Sequence, residues 1–171
     1  IMVKTIPLYH RVYTNGFLFS EKPAPRKLKI ETAEKFGIGK SQYNAIKNGA
    51  DGIQNDGTII PNKDLTQDPP KPKSYAFCSD TLYNEAIVPL IHQVDTLYHE
   101  STFLQSEERL CAKTKHSTAQ QAAKIAKKAE VNRLILGHYS TRYKSIELFR
   151  DEAKEIFPRV ELADDGKSFE L

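Results

Sequence analysis

From residue 74 onward the apolar positions alternate between short runs and helical stripes. Ser74–Cys78 and Thr96–Tyr98 read as strands, and Arg133–Leu136 reads as a buried one. Leu82–Ile91, Ser106–Cys111 and Ile146–Phe157 read as helices, the last stopped by Pro158. The clearest helix is Thr118–Ala129. Ala119, Ala122, Ala123, Ile125, Ala126 and Ala129 form its apolar face, while Lys124, Lys127 and Lys128 face out. Ser117 or Thr118 can cap it, and Gln121 lies three residues after Thr118, as a capping box requires. Val160–Leu162 and Phe169–Leu171 are short terminal strands. Strand–helix–strand alternation with right-handed crossovers predicts a layered α/β sandwich.

The first twenty residues have a different pattern. Met2–Leu8 is apolar and β-prone and leads to His10, and Phe17-Leu18-Phe19 is a second short strand. Asn15-Gly16 is the turn signal between them, which predicts a hairpin at a sheet edge. The chain opens on Ile1 already in strand pattern, as expected of a piece of something longer.

Residues 21–73 then leave the core pattern. Lys22-Pro23-Ala24-Pro25-Arg26 opens the segment and Pro69-Pro70-Lys71-Pro72 closes it. Two short helical stretches, Ile30–Phe36 and Ser41–Lys47, flank Gly37-Ile38-Gly39-Lys40. Asp56-Gly57 marks a turn before Thr58-Ile59-Ile60. Pro-rich ends around a turn-rich middle predict an excursion from the core.

Composition narrows the class. A chain of 171 residues with 39% hydrophobic and 27% charged residues is expected to be soluble, with one real core. No apolar run approaches the roughly 18 residues of a membrane span, and no secretory-leader pattern occurs. Cys78 and Cys111 make no disulfide framework, so reduced thiols in the cytoplasm are expected. The net charge is only +3, but residues 21–73 hold ten Lys/Arg, among them Arg26, Lys27, Lys29 and Lys40, against seven Asp/Glu. The whole excess sits in that segment. It suits contacts to a phosphate backbone, and equally an ordinary solvated face.

Candidate chemistry gathers where strands end, the usual place for functional side chains in α/β sheets. His10 follows Ile6–Leu8, Asp80 follows Tyr75–Cys78, and His138 follows Leu134–Leu136. Two imidazoles and a carboxylate are donors that zinc accepts, and a carboxylate can bridge two ions. Each has a plainer alternative, an Asp as helix cap or a His as a surface or core residue.

Four motifs taken together go further: Phe77-Cys78-Ser79-Asp80-Thr81, Tyr98-His99-Glu100-Ser101-Thr102, Lys115-His116-Ser117-Thr118 and Gly137-His138-Tyr139-Ser140-Thr141-Arg142-Tyr143. From Asp80 the intervals are 20 residues to Glu100, 36 to His116 and 58 to His138. Their order resembles the C-terminal half of ribonuclease Z, a zinc endonuclease of the metallo-β-lactamase superfamily that trims tRNA precursors at the 3′ end. The resemblance extends upstream to Leu8-Tyr9-His10-Arg11-Val12 and so covers nearly the whole chain. His99–Thr102 is similar to the family's HEAT motif, Lys115–Thr118 to its HST motif, and His138–Tyr143 to its terminal His-x-Ser-Ser-Arg-Tyr, with Thr141 in place of a serine. The family's His-x-His-x-Asp-His zinc cluster does not occur in these residues.

The resemblance implies an α/β (α+β) fold, the C-terminal half of an αββα sandwich spanning residues 1–171. It implies a protruding tRNA-binding arm at residues 21–73. It implies two Zn2+ ions per intact site, with His10 on the first, His138 on the second and Asp80 bridging both. Glu100 would orient His116 as the catalytic acid, and Ser140 and Arg142 would contact phosphate. Arg142 has a second reading, a salt bridge stabilising the last helix. His99 is expected to be structural and His92 to lie on the surface. The implied partners are precursor tRNA and a second copy of the protein, with no membrane. Two other readings stay open: another metallo-β-lactamase-fold hydrolase or phosphodiesterase, acting on a small ester or sulfate instead of RNA, and a non-catalytic RNA-binding fragment.

Overall fold

The computed structural model describes residues 1–170. In chain order the strands are β1 (Met2–Leu8), β2 (Thr14–Ser20), β3 (Lys27–Leu28), β4 (Gly52–Ile53), β5 (Ile59–Ile60), β6 (Thr66–Gln67), β7 (Ser74–Cys78), β8 (Thr96–Glu100), β9 (Arg133–Gly137) and β10 (Val160–Leu162). The α-helices are α1 (Ile30–Lys35), α2 (Tyr43–Lys47), α3 (Asn62–Leu65), α4 (Glu108–Thr114), α5 (Ala119–Lys128) and α6 (Glu147–Lys154). The chain divides into two compact units, one of residues 1–21 with 73–170 and one of residues 22–72.

The first unit is built on a six-stranded sheet of order β1-β2-β7-β8-β9-β10. The β1–β2 and β2–β7 pairs are antiparallel, and β7, β8, β9 and β10 run parallel. β1 therefore points the same way as the parallel strands, and its C-terminal end reaches the same edge of the sheet as theirs. One face is the core. Ile6, Ala76, Cys78, Leu97, Leu134, Leu136, Val160 and Leu162 pack there with the alanine stripe of α5 and with Phe149 and Ala153 of α6. The capping box on α5 is present in full, Thr118 accepting from the Gln121 amide while the Gln121 side chain accepts from the Thr118 amide.

Strand alternation puts Phe17, Phe19, Tyr75, Phe77 and Tyr98 on the opposite face. Phe19 stacks on Tyr75 with centroids 6.1 Å apart, and Phe77 on Tyr98 at 4.7 Å. Phe17 remains 40% exposed, in a row of rings half open to solvent.

Several sequence-based boundaries change. Asn15-Gly16 is not the hairpin turn; the connection is residues 9–13 and Gly16 lies inside β2. Its glycine is needed there for another reason, because a Cβ would stand 2.3 Å from the Phe77 carbonyl oxygen. Leu82–Ile91 is a 3₁₀ helix over Glu85–Ile91 only, since Pro89 inside it removes a backbone donor. β8 runs on to Glu100, and the α4 region begins with a 3₁₀ turn at Gln105–Glu107. Residues 169–170 are irregular rather than a strand, and Leu171 lies outside the described residues.

The second unit has its own small core of Leu28, Ala33, Ile38, Ile46 and Leu65, with Phe36, Tyr43 and Ile60 against it. Besides the short helices it contains two ribbons, β3–β6 and β4–β5, which the helical reading of this segment missed. Two-residue strands carry too little periodicity to be read from sequence.

Candidate active site

The parallel strands end in backbone that only a specific requirement would maintain. Asp80, two residues past β7, has φ 56°, and His138, directly after β9, has φ 60°. Lys115, which ends α4, has φ 63°. Non-glycine residues enter the left-handed region at a cost of about 1 kcal/mol or more, and such costs cluster at functional sites. The segment after β1 is pinned to the one after β7: the Tyr9 amide donates to Thr81 Oγ1 at 3.2 Å, and the Leu82 amide to the Tyr9 carbonyl at 2.8 Å. This brings His10 beside the other two loops.

At the centre stands Glu100, on the last residue of β8 and fully buried. Its Oε1 accepts from the Thr81 amide at 2.7 Å and from His116 Nδ1 at 2.8 Å. Its Oε2 accepts from Thr102 Oγ1 at 2.6 Å and from the Ser117 amide at 3.0 Å. Burial alone would push this carboxyl up, but the bonds from His116, Thr102 and Ser117 outweigh it and hold the pKa below its ordinary 4.5. The same bond to Glu100 raises His116 above 6.5, against the opposing effect of its partial burial. The pair is thus a buried carboxylate and an imidazole that donates its Nδ1 hydrogen to it, leaving Nε2 as the ring's second nitrogen.

The three histidines form a row. The His116 ring lies 5.0 Å from that of His10 and 5.1 Å from that of His138, centroid to centroid, with Phe103 behind it at 6.5 Å. His10 Nδ1 lies 2.9 Å from the Lys115 carbonyl oxygen, which can only accept, so Nδ1 carries the hydrogen and Nε2 the lone pair. His138 Nε2 lies 3.4 Å from Asp80 Oδ1. Donor atoms of His10, Asp80 and His116 lie within 4.8 Å of one another, as do those of Glu100, His116 and His138. Glu100 is a poor ligand despite that proximity, because five donors already fill its oxygens, the fifth being the Thr102 amide at 3.4 Å from Oε2. His10, Asp80 and His116 have donor atoms close enough to share an ion, and His138 Nε2 lies beside the same Asp80 carboxylate. Two ligands bound about 2.0–2.1 Å from a tetrahedral zinc stand roughly 3.3 Å apart, close to the His138–Asp80 separation. The donor set of two imidazoles and one carboxylate fits a metal ion.

The remaining expectations fall as follows. The Ser140 hydroxyl accepts from Arg142 Nε at 3.3 Å, and the Arg142 guanidinium lies over Phe103 and 3.6 Å from Glu107. Arg142 thus does make an ion pair, but with the residue preceding α4 rather than with the last helix. His99 is buried, its Nδ1 2.7 Å from the Glu100 carbonyl, and His92 is exposed. In the second unit Arg26 pairs with Asp68 and donates to Thr66 Oγ1 at 2.7 Å, while Lys29 Nζ reaches the Asp64 carbonyl at 3.3 Å. Lys27 and Lys40 are exposed.

Sequence reasoning overlooked Thr81, Thr102 and the Lys115 carbonyl. Thr102 stands inside a motif already singled out, two residues after Glu100. Nothing in the sequence marks a backbone carbonyl.

A mixed sheet with packed crossover helices and a His/Asp cluster at the ends of its parallel strands defines a chain of the metallo-β-lactamase fold. The metallo-β-lactamase fold protein YhfI from Bacillus subtilis superposes with a TM-score of 0.60 over 96% of this chain and 47% of its own, at 17% identity. No protein-family model matches the chain. Ribonuclease Z of Phocaeicola vulgatus is 45% identical to it over 163 residues, 95% of this chain and 53% of the relative. Ribonuclease Z of Parabacteroides distasonis is 42% identical over 166 residues, 97% and 55% of the two. The chain belongs to the ribonuclease Z family, and it spans about half the length of the curated relatives it matches.

Proposed function

We propose that this chain is the C-terminal half of a zinc-dependent endoribonuclease that removes the 3′ trailer from tRNA precursors in the cytoplasm. The observation that carries the reading is the row of His10, His116 and His138 at one edge of the sheet, with Asp80 against His138 and a buried Glu100 bound to His116. Hydrolysis of a phosphodiester needs an activated water, neutralisation of charge on the phosphate oxygens and a proton for the leaving oxygen. Zinc, when bound by His10, Asp80 and His138, would supply the first two as a Lewis acid.

The chain's own residues supply the third. Glu100 takes the Nδ1 hydrogen of His116, which fixes the ring plane and directs Nε2 outward. His116, with its pKa raised by that contact, carries an Nε2 proton and delivers it to the departing 3′ oxygen. Asp80 and His138 sit in left-handed backbone at the strand ends, with Oδ1 and Nε2 3.4 Å apart. Arg142 and Ser140 would contact the phosphate, which a guanidinium fork suits. The unit of residues 22–72 carries the chain's basic excess and serves as the arm that grips tRNA, the arm of one subunit serving the site of a second copy.

The test uses the full-length protein with two substrates, a precursor tRNA and a chromogenic phosphodiester. The reading expects release of an intact trailer, lost on chelation and restored by zinc. Hydrolysis of the small ester with no cleavage of the precursor would move the protein to a different hydrolase of this fold. Activity on neither, with zinc bound, would leave a non-catalytic RNA-binding role.

A further inference from the structure

Beyond donating to Glu100, the Thr102 hydroxyl also touches His138. We infer that Thr102 is a positioning residue: its hydroxyl relays the orientation imposed by Glu100 onto His138 and holds that imidazole in its Nδ1–H form. The relay rests on the proposed use of His138 as a metal ligand, but its physical basis is separate.

The argument is an accounting of hydrogens. Thr102 is buried, and its hydroxyl has a single proton and two lone pairs. That hydroxyl lies 2.6 Å from Glu100 Oε2 and 2.9 Å from His138 Nδ1. A carboxylate only accepts, so the contact to Glu100 requires the Thr102 proton. The bond has the length of a charge-assisted O–H···O⁻ bond, among the stronger kinds in proteins. Its oxygen then offers only lone pairs to His138, and Nδ1 must be the donor. The opposite arrangement would place the His138 hydrogen on Nε2, facing Asp80 Oδ1 at 3.4 Å, which is long for a hydrogen bond. It would also turn the Thr102 proton away from Glu100. The short contact wins over the long one.

The consequence reaches the metal-facing edge. With Nδ1 protonated, Nε2 presents a lone pair to the Asp80 carboxylate, an arrangement suited to a cation between them. Thr102 also fixes the loop that carries His138, since its carbonyl accepts from the Ser140 amide at 3.1 Å. One buried carboxylate therefore aligns His116 directly and His138 through Thr102. His10 is independent of it, being held by the Lys115 carbonyl.

This independence supplies an internal control. Histidine tautomers can be read by long-range ¹H–¹⁵N correlation in metal-free protein at mildly alkaline pH, with resonances assigned by His138→Gln and His10→Gln. In the unsubstituted protein His138 should be the Nδ1–H form. Thr102→Ser should keep it, Thr102→Val should shift it toward the Nε2–H form preferred by free imidazole, and His10 should be unchanged in both. Zinc affinity should fall about 10–100-fold in Thr102→Val and recover in Thr102→Ser, the range typical of lost outer-shell partners. An Nε2–H tautomer at His138 in the unsubstituted protein overturns the proposal, and that measurement needs no variant to fold. So does retention of the Nδ1–H form in a folded Thr102→Val protein. None of these readouts depends on tRNA cleavage, so a failed relay and a failed nuclease reading are distinguishable.

Discussion

Replacing Glu100 by glutamine changes almost no volume and removes one charge, yet it should be among the most damaging conservative substitutions in the chain. The carboxylate accepts from five donors: the Thr81 amide, His116 Nδ1, Thr102 Oγ1 and the Thr102 and Ser117 amides. An amide has one oxygen, so whichever way the side chain is turned, its NH₂ group faces at least two of those donors. Leaving a buried donor unsatisfied costs about 1–3 kcal/mol, and the lost charge-assisted bond to His116 about as much again. With some relaxation the total is roughly 3–6 kcal/mol, near what breaking a buried ion pair costs. For a domain of this size each kcal/mol moves the melting temperature by about 2–4 °C, so Glu100→Gln should lower it by roughly 10–20 °C. The pH dependence carries a second signature. Glu100's lowered pKa contributes stability that is present above 4.5 and lost as pH falls through the folded value; His116's raised pKa contributes stability that is present below 6.5 and lost as pH rises through the folded value. Both contributions are complete only between those ordinary values. Thermal unfolding of metal-free protein followed by circular dichroism across that range should show a decline above 6.5 that is absent in Glu100→Gln. A melting temperature within about 3 °C of the parent, or an unchanged alkaline slope, would refute the placement of Glu100 as the hub of this site.

In the full-length enzyme His116→Ala should lower precursor cleavage by roughly 10²–10⁴-fold while leaving zinc content and tRNA affinity nearly unchanged, as single-turnover kinetics and metal analysis would show. Gly137→Ala should destabilise the fold by about 1–3 kcal/mol in urea titrations, because a Cβ there meets Tyr98 Oη at 2.3 Å; Tyr98→Phe should recover part of the loss. Removing residues 23–72 should abolish precursor processing and flatten the salt dependence of tRNA binding, while a small phosphodiester is still hydrolysed; processing at the parental rate would make the lysines of that unit ordinary solvated charge.

Much of the architecture was legible because the hydrophobic period changes cleanly along the chain. The alanine stripe of α5 and its Thr118–Gln121 capping box could be read directly, and so could the strands that are buried on the core face. The misreadings have local causes. Asn15-Gly16 has the composition of a tight turn, but its glycine answers to Phe77 on the neighbouring strand, a contact that sequence proximity cannot reveal. Leu82–Ile91 has helical periodicity, but Pro89 and the Asn84 cap confine it to a 3₁₀ segment. At the site, the residue types with titratable or ligating groups were visible, and the motif order tied them together. What ties them physically was not: Thr81 and Ser117 act through backbone amides, Lys115 through its carbonyl, and Thr102 through a hydroxyl whose direction only a third residue determines.

Two deficits of different kinds remain in this chain, and they point the same way. The first is chemical. Glu100 has no free acceptor and His99 is turned into the interior, so among the described residues His10, Asp80, His116 and His138 are the donors left at the cluster. A tetrahedral zinc takes four ligands, and a pair sharing one carboxylate needs more than these residues provide. The second deficit is one of burial. Among the described residues no helix covers the sheet face lined by Phe17, Phe19, Tyr75, Phe77 and Tyr98, and contiguous apolar surface of that kind normally marks a contact. A second β-layer laid against those rings, with histidine and aspartate ligands at its own strand ends, would meet both needs at once. The proposed function expects such a layer, and a free-standing RNA-binding role does not.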